Sequence, residues 1–366
     1  MSRRRKPSDF MVMFSATTLL AIGVVMVFSS SSVRALQDYG DAYYFLKKQL
    51  LWSAIAVFGM SVASGVDYWH YRRIAAPALA FNLLLLVLVL IPGIGILSHG
   101  ARRSLGFGPL TVNPAEVMKV TWIVFLSTYL SANRDRLRFF FKGLLPYLVG
   151  AATIFGLVLK EPDLGTALAI AGTTFVVLFA AGAQLFHLTG LAVTAIPVFL
   201  WAAMSEEYRR ARLFAFLDPW SDPMKSGYHI IQSLYALGSG GLFGMGLGSG
   251  RQKMLYLPEA HTDFIFSILG EELGFVGVVA VLSLFFLLAW RGYRIAMTAP
   301  DTMSCIMATG ITTMIALQAI INIGVVTASL PITGIPLPLV SYGGSSLVFT
   351  MAGVGILLNI SRYSTG

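Results

Sequence analysis

The sequence predicts an all-α integral membrane protein with ten transmembrane helices and one long extracytoplasmic loop between the seventh and eighth. Three observations predict it. Hydrophobic residues make up 56% of the chain and charged residues only 12%, about half the charged share of soluble domains. Apolar runs near 20 residues long recur from end to end, and about 20 such residues cross the ~30 Å hydrocarbon layer. Lys and Arg gather in alternate loops, which is the pattern that orients membrane spans.

The spans fall near residues 10–30, 49–66, 74–96, 114–132, 143–159, 164–184, 187–204, 264–290, 303–328 and 344–361. The first follows Ser2-Arg3-Arg4-Arg5-Lys6 and resembles a signal peptide, but its apolar run is too long for a cleaved segment. No stretch has the length and composition of a soluble domain, so residues 1–366 read as one polytopic membrane domain with its long loop at about 205–262. No internal repeat is evident. With the N-terminus inside, the cytoplasmic segments hold thirteen basic residues and the short external loops six. Both termini are therefore expected in the cytoplasm, and the polar loops carrying Asp163, Asp263 and 329–343 outside.

Composition excludes several functions. The +9 net charge is scattered over loops between spans, not gathered into a groove for nucleic acid. Cys305 is the sole cysteine, so neither a disulfide framework nor a thiolate metal site can form. The chain has no P-loop pattern, no His-x-x-x-His pair and no G-x-S-x-G elbow. A reaction on the external face must be driven by the substrate itself or by a gradient.

The acidic residues around the eighth span carry the chemistry. Asp263 ends a polar loop at the mouth of that span, where partial desolvation raises a carboxylate toward working pH as a general base. A charge stabilised by the helix dipole is an equal alternative. Thr262 is placed to cap the following helix. Glu271 and Glu272 lie about two turns deeper on different faces, so they cannot both face Asp263. Structural pairing of one with a basic or hydroxyl group is the favoured reading. Gly270 and Gly274 have a spacing that admits close packing.

Glu116 and Lys119 stand three apart in the fourth span and read as an ion pair or as a phosphate-binding lysine. Arg102 and Arg103, in the loop before it, either grip the same anion with forked donors or are ordinary arginines snorkelling to the headgroups. The run Gly238–Gly250 followed by Arg251, Gln252 and Lys253 is either a substrate-wrapping loop or a flexible linker. Residues 228–237 read as an interfacial or re-entrant helix. The segment Pro331–Pro338 is too proline-rich for a regular helix. At membrane depth it must line a cavity, presenting Ser341 and Tyr342.

Together these residues resemble the SEDS family (shape, elongation, division and sporulation), which includes FtsW, RodA and SpoVE. The resemblance spans essentially the whole chain. It rests on Asn113-Pro114-Ala115-Glu116 with Lys119, Pro162-Asp163-Leu164-Gly165-Thr166, Asp218-Pro219-Trp220, Gln232-Ser233, Gly246-Leu247-Gly248-Ser249 with Gln252-Lys253, Leu257-Pro258-Glu259 with Thr262-Asp263-Phe264, and Ser341–Ser346. His261-Thr262-Asp263 and Asn322–Thr327 place it nearest the FtsW/SpoVE branch. Glu161 departs from the glutamine common in relatives.

The resemblance implies a glycosyltransferase that polymerises lipid II on the outer face of the bacterial cytoplasmic membrane, releasing undecaprenyl pyrophosphate. It implies a class B penicillin-binding protein as partner. Asp263 would be the catalytic base, and Arg102, Glu116, Lys119, Asp163, Thr166, Gln252, Lys253, Ser341 and Tyr342 the substrate-binding set. No cofactor or resident metal is demanded, although the external carboxylates permit a Mg²⁺ or Mn²⁺ ion against pyrophosphate. Two rivals remain: a lipid II flippase, which needs no base at the external mouth, and a silent scaffold for the transpeptidase, for which Asp263 is dispensable.

Overall fold

The computed structural model describes residues 6–98, 101–107 and 110–364; the basic cluster Arg3–Arg5 lies outside these. Twelve α-helices are found among the described residues: α1 (Phe10–Tyr39), α2 (Tyr44–Gly65), α3 (Tyr71–Leu90), α4 (Pro114–Ala132), α5 (Leu145–Lys160), α6 (Leu164–Ala180), α7 (Leu185–Met204), α8 (Glu207–Leu217), α9 (Tyr228–Ser239), α10 (Ile265–Met297), α11 (Thr302–Val326) and α12 (Gly344–Ser361). Seven described helical segments are long and apolar enough to cross a membrane. They are α1, α3, α5, α7, α10, α11 and α12, with short turns extending α3 and α5. The protein is a multi-pass membrane protein. The other three long helices have identifiable handicaps. Helix α2 opens on Lys47, Lys48 and Gln49, α4 carries Glu116 and Lys119, and α6 is only 17 residues long.

One end of the bundle gathers both chain ends. Lys6 N–H donates to the Arg362 carbonyl at 3.0 Å, and Asp9 N–H to Ser361 Oγ at 3.0 Å. Asp9 pairs with Arg291, Tyr363 with Asp67, and Tyr68 with Asp301. Asp9 also caps α1 by accepting from the Met11 and Val12 amides. The opposite end holds the loops in which the sequence places its chemistry.

The core forms two apolar clusters. One joins α1, α2, α10, α11 and α12, and the other lies mainly among α3 to α7. Helix α11 belongs to the interior, with 78% of its apolar window buried, whereas only 12% of the α7 window is. That difference leaves α7 as a peripheral, lipid-facing element.

The expected all-helical architecture is present, with two features added. The segment between α3 and α4 is a small three-stranded antiparallel sheet of β1 (Gly95–Ser98), β2 (Ala101–Phe107) and β3 (Leu110–Val112). Its strands are too short for the period-two pattern to stand out beside long apolar runs. The long loop at 205–262 is also partly helical. Helix α9 matches the expected helix, but α8 has no counterpart in the sequence reading. Its three arginines and one glutamate give it loop-like polarity, although Arg, Glu, Ala and Leu are good helix formers.

Candidate active site

Asp263 is set by its backbone. Helix α10 begins at Ile265, with Phe264 as its uncapped flanking residue. Thr262 does not cap it; its hydroxyl donates to the Glu259 carbonyl (3.2 Å) and carboxylate (2.9 Å). The local turn closes where the Thr262 and Phe264 amides both donate to the Glu259 carbonyl. Glu259 itself has a positive φ of 54°.

Helix α11 supports this turn from below. Asn322 Nδ2 donates to the Asp263 carbonyl at 2.8 Å and to the Ile335 carbonyl at 2.7 Å. One turn earlier, Gln318 Nε2 donates to the Pro336 carbonyl at 3.0 Å and its Oε1 accepts from Lys119 at 2.8 Å. Lys119 is also paired with Glu116 at 2.6 Å, and both are buried. The expected ion pair is therefore present, and it joins the proline segment through Gln318. Ser341 Oγ donates to the Thr262 carbonyl at 2.6 Å and accepts from the Leu337 amide. Tyr342 N–H donates to the His261 carbonyl, and its ring packs against Phe45 and His261.

The Asp263 carboxylate makes no side-chain hydrogen bond or ion pair among the described residues. Gly334, with φ +75°, brings bare backbone beside it. A Cβ there would lie 3.5 Å from Asp263 Oδ2. Burial, reinforced by the Glu259 and Asp163 charges, pushes the Asp263 carboxyl up to about 7, with Arg212 and Arg103 opposing. Burial likewise depresses His261 to about 4, which leaves it neutral at pH 7, and lifts Tyr342 to about 12.

One residue beyond Gly334, at Thr333, begins the wall of a narrow crevice of about 30 Å³, partly open to solvent. Pro162, Leu164 and Leu168 form one wall, Pro331, Ile332 and Thr333 another, and α8 contributes Tyr208, Arg209, Arg212 and Leu213. The wall at 161–163 is held from the sheet. The β1–β2 register slips between Ile96 and Leu97, leaving Arg103 as the extra residue. Arg103 donates to the Glu161 and Pro162 carbonyls. Asp163 accepts from the Thr166 amide and hydroxyl, each at 3.0 Å, and so caps α6. The Glu161 carboxyl is fully buried without a hydrogen-bond partner, and that burial lifts it to about 9.

The remaining expected residues lie elsewhere. Lys253 is buried against Glu272 at 2.7 Å and Ser29 at 3.0 Å. Arg251 and Gln252 present backbone amides to Glu271. Arg102 stands partly exposed on β2 with no hydrogen-bond or ion-pair partner among the described residues. Of the expected set, Ser341 and Tyr342 bind the backbone of the residues just before Asp263, Asp163 and Thr166 flank the crevice, and Glu116 and Lys119 connect to the proline segment through Gln318. Arg212, Gln318 and the scaffold role of Asn322 did not stand out in the sequence. The i, i+4 spacing of Gln318 and Asn322 in an apolar helix was the available signal. Among the described residues no three His, Cys, Asp or Glu side chains are grouped to hold a metal ion.

A family model described as a cell cycle protein, FTSW_RODA_SPOVE, matches residues 10–366. The chain belongs to this family. Stage V sporulation protein E of Bacillus subtilis is 46% identical over 364 residues, covering 100% of both chains. The probable peptidoglycan glycosyltransferase FtsW of Geobacter metallireducens is 44% identical over 358 residues, 98% of this chain and 96% of the relative. Among solved structures, a chain of a peptidoglycan synthase complex that coordinates polymerization and crosslinking superposes with a TM-score of 0.78 at 32% identity, covering 97% of this chain and 98% of that one. The rod shape determining protein RodA of Thermus thermophilus gives 0.72 at 29% identity, covering 98% of each. The fold is therefore that of the FtsW/RodA/SpoVE family.

Proposed function

We propose that this chain is a peptidoglycan glycosyltransferase that polymerises lipid II on the outer face of the bacterial cytoplasmic membrane, with Asp263 as general base. The observation that carries the reading is the Asp263 carboxylate. Asn322 holds its carbonyl and Ser341 that of Thr262 before it, while its side chain accepts no hydrogen bond among the described residues. It is the group beside the crevice left able to take a proton near neutral pH.

In this mechanism the acceptor 4-hydroxyl gives its proton to Asp263 as its oxygen attacks the anomeric carbon of the donor sugar. The bond from that carbon to the pyrophosphate oxygen breaks with inversion. Undecaprenyl pyrophosphate leaves with the electron pair and supplies the driving force. The relatives named as glycosyltransferases and the likeness to a synthase-complex chain support this reading. The same likeness supports a class B penicillin-binding protein as partner.

In this reading all ten long helices cross the membrane, with both termini cytoplasmic and Asp263 outside. The support is the shared location of the two chain ends and the thirteen-to-six basic asymmetry.

The test is polymerisation of labelled lipid II by purified protein, with and without a class B partner, beside Asp263→Asn. Strands from the wild type and none from a folded variant are expected. Transport of lipid II across vesicles with no strands under either condition overturns the reading in favour of a flippase. Unchanged partner-dependent activity in the variant removes Asp263 from its role.

A further inference from the structure

We propose that Arg212 is the cation that binds the pyrophosphate of the lipid-linked donor beside Asp263; the assignment rests on the glycosyltransferase reading above. Two guanidinium groups line the crevice and a third, Arg103, braces its wall; Arg103 and Arg209 are already committed. Arg103 spends its donors on the Glu161 and Pro162 carbonyls. Arg209 is buried and donates to the Leu159 carbonyl at 3.0 Å, the Ala202 carbonyl at 3.2 Å, Ser205 Oγ and Tyr208 Oη. Those bonds clamp α8 onto the ends of α5 and α7.

Arg212 lies one helical turn further along on the same face and lines the same crevice. It is exposed there and makes no hydrogen bond or ion pair among the described residues. Its guanidinium lies over the Tyr208 ring, at 5.6 Å. A fixed helix thus presents a guanidinium whose forked donors match the geometry of phosphate oxygens.

The rest of the lining fits the same ligand. Leu164, Leu168, Ala203, Leu213, Pro331 and Ile332 give apolar walls around the Arg212 guanidinium. This suits an amphiphile with an anionic head and a hydrocarbon tail. Arg212 is also near enough for its charge to act on Asp263. When the donor bond breaks, negative charge grows on the departing phosphate oxygen, and a preorganised cation there stabilises the transition state.

The experiment compares wild type with Arg212→Ala and Arg212→Lys in the full-length protein with its class B partner. It measures kcat and KM for lipid II, and inhibition by undecaprenyl pyrophosphate and by inorganic pyrophosphate. Arg212→Ala should lower kcat/KM and weaken both inhibitors by about 10- to 100-fold, the loss expected for a charge-assisted hydrogen-bonding group. Lys should restore part of this as a point charge, and thermal stability should be unchanged. Wild-type kinetics and inhibition in Arg212→Ala overturn the proposal.

Direct binding of labelled undecaprenyl pyrophosphate, run beside phosphatidylglycerol micelles, separates the sources of the anion. Equal loss of both lipids in Arg212→Ala makes Arg212 a general headgroup anchor and also overturns it. Binding needs no turnover, so an inactive wild type whose pyrophosphate affinity still depends on Arg212 sinks the polymerase reading and leaves Arg212 as a pyrophosphate-binding cation without the donor role.

Discussion

Three carboxylates stand at the head of one helix, and they meet opposite environments. Glu271 accepts from the Arg251 amide at 2.7 Å and the Gln252 amide at 3.2 Å. Glu272 accepts from Ser29, Lys253 and the Gly248 amide. Asp263 has no such partner for its side chain among the described residues. The first two close a broken segment of membrane helix. Gly274, with φ +66°, interrupts α10 there. Across the break, the Phe275 and Val276 amides donate to Gly241 and Leu242, and Met245 and Gly246 donate back to Glu271 and Glu272. The glycine run is therefore no loose linker: it satisfies freed backbone groups at the break. Gly250 fits because a Cβ there would lie 2.8 Å from Glu271 Oε2. Glu271 and Glu272 are saturated and hold the fold, whereas the Asp263 side chain is left without a hydrogen-bond partner among the described residues.

The largest expected effect breaks the comparison on the chemical side. Asp263→Asn should lower polymerisation by roughly 10²–10⁴-fold, the usual range for losing a general base, with an unchanged melting temperature. In the wild type, activity should rise with pH through about 7 and then level, because a carboxyl lifted to that value holds its proton below it. A profile flat from pH 5 to 8 in lipid II turnover would contradict this.

On the structural side, Glu272→Gln should cost about 3–5 kcal/mol by leaving Lys253 buried without its counter-charge. Lys253→Met with Glu272→Gln should cost less than the two single changes summed, by about 1 kcal/mol or more. Thermal unfolding in detergent checks both. Additive losses would mean that the pair is not coupled.

Glu161 sharpens the contrast, since it too is buried without a partner but faces no solvent. Its carboxyl is raised, chiefly by burial, to about 9, so the folded state holds a proton that the unfolded state releases above its ordinary range. The stability it contributes is complete at acid pH and is lost as pH climbs from about 4.5 toward 9. Glu161→Gln should therefore melt progressively above the wild type as pH rises across that window. Parallel melting curves would show that its proton does not matter. The smallest expected effect is Gly334→Ala, which forces a side chain into left-handed backbone at about 1–2 kcal/mol and should reduce activity only a few-fold in the same turnover assay.

Much was legible in the chain. Long apolar runs force helices because lipid offers no alternative hydrogen-bond partners, so the long helices could be read directly from the pattern. Asp263 stood out because a carboxylate is costly at a membrane mouth, and Glu116 and Lys119 because three-residue spacing joins them on one face. The sheet at 95–112 and helix α8 escaped, since neither is long enough for its periodicity to dominate its composition.

Only the tertiary structure separated the acidic and basic residues by role. Lys253 and Arg212 look alike in the sequence as loop cations after glycines or acids. One is sealed against Glu272 and the other stands uncommitted in a crevice. The difference depends on which distant segments, α1 for the first and 331–333 for the second, are brought beside them. A local pattern fixes hydrophobic period and helix direction, but hydrogen-bond saturation is a property of contacts between remote segments, and it decides which charge is structural and which can act.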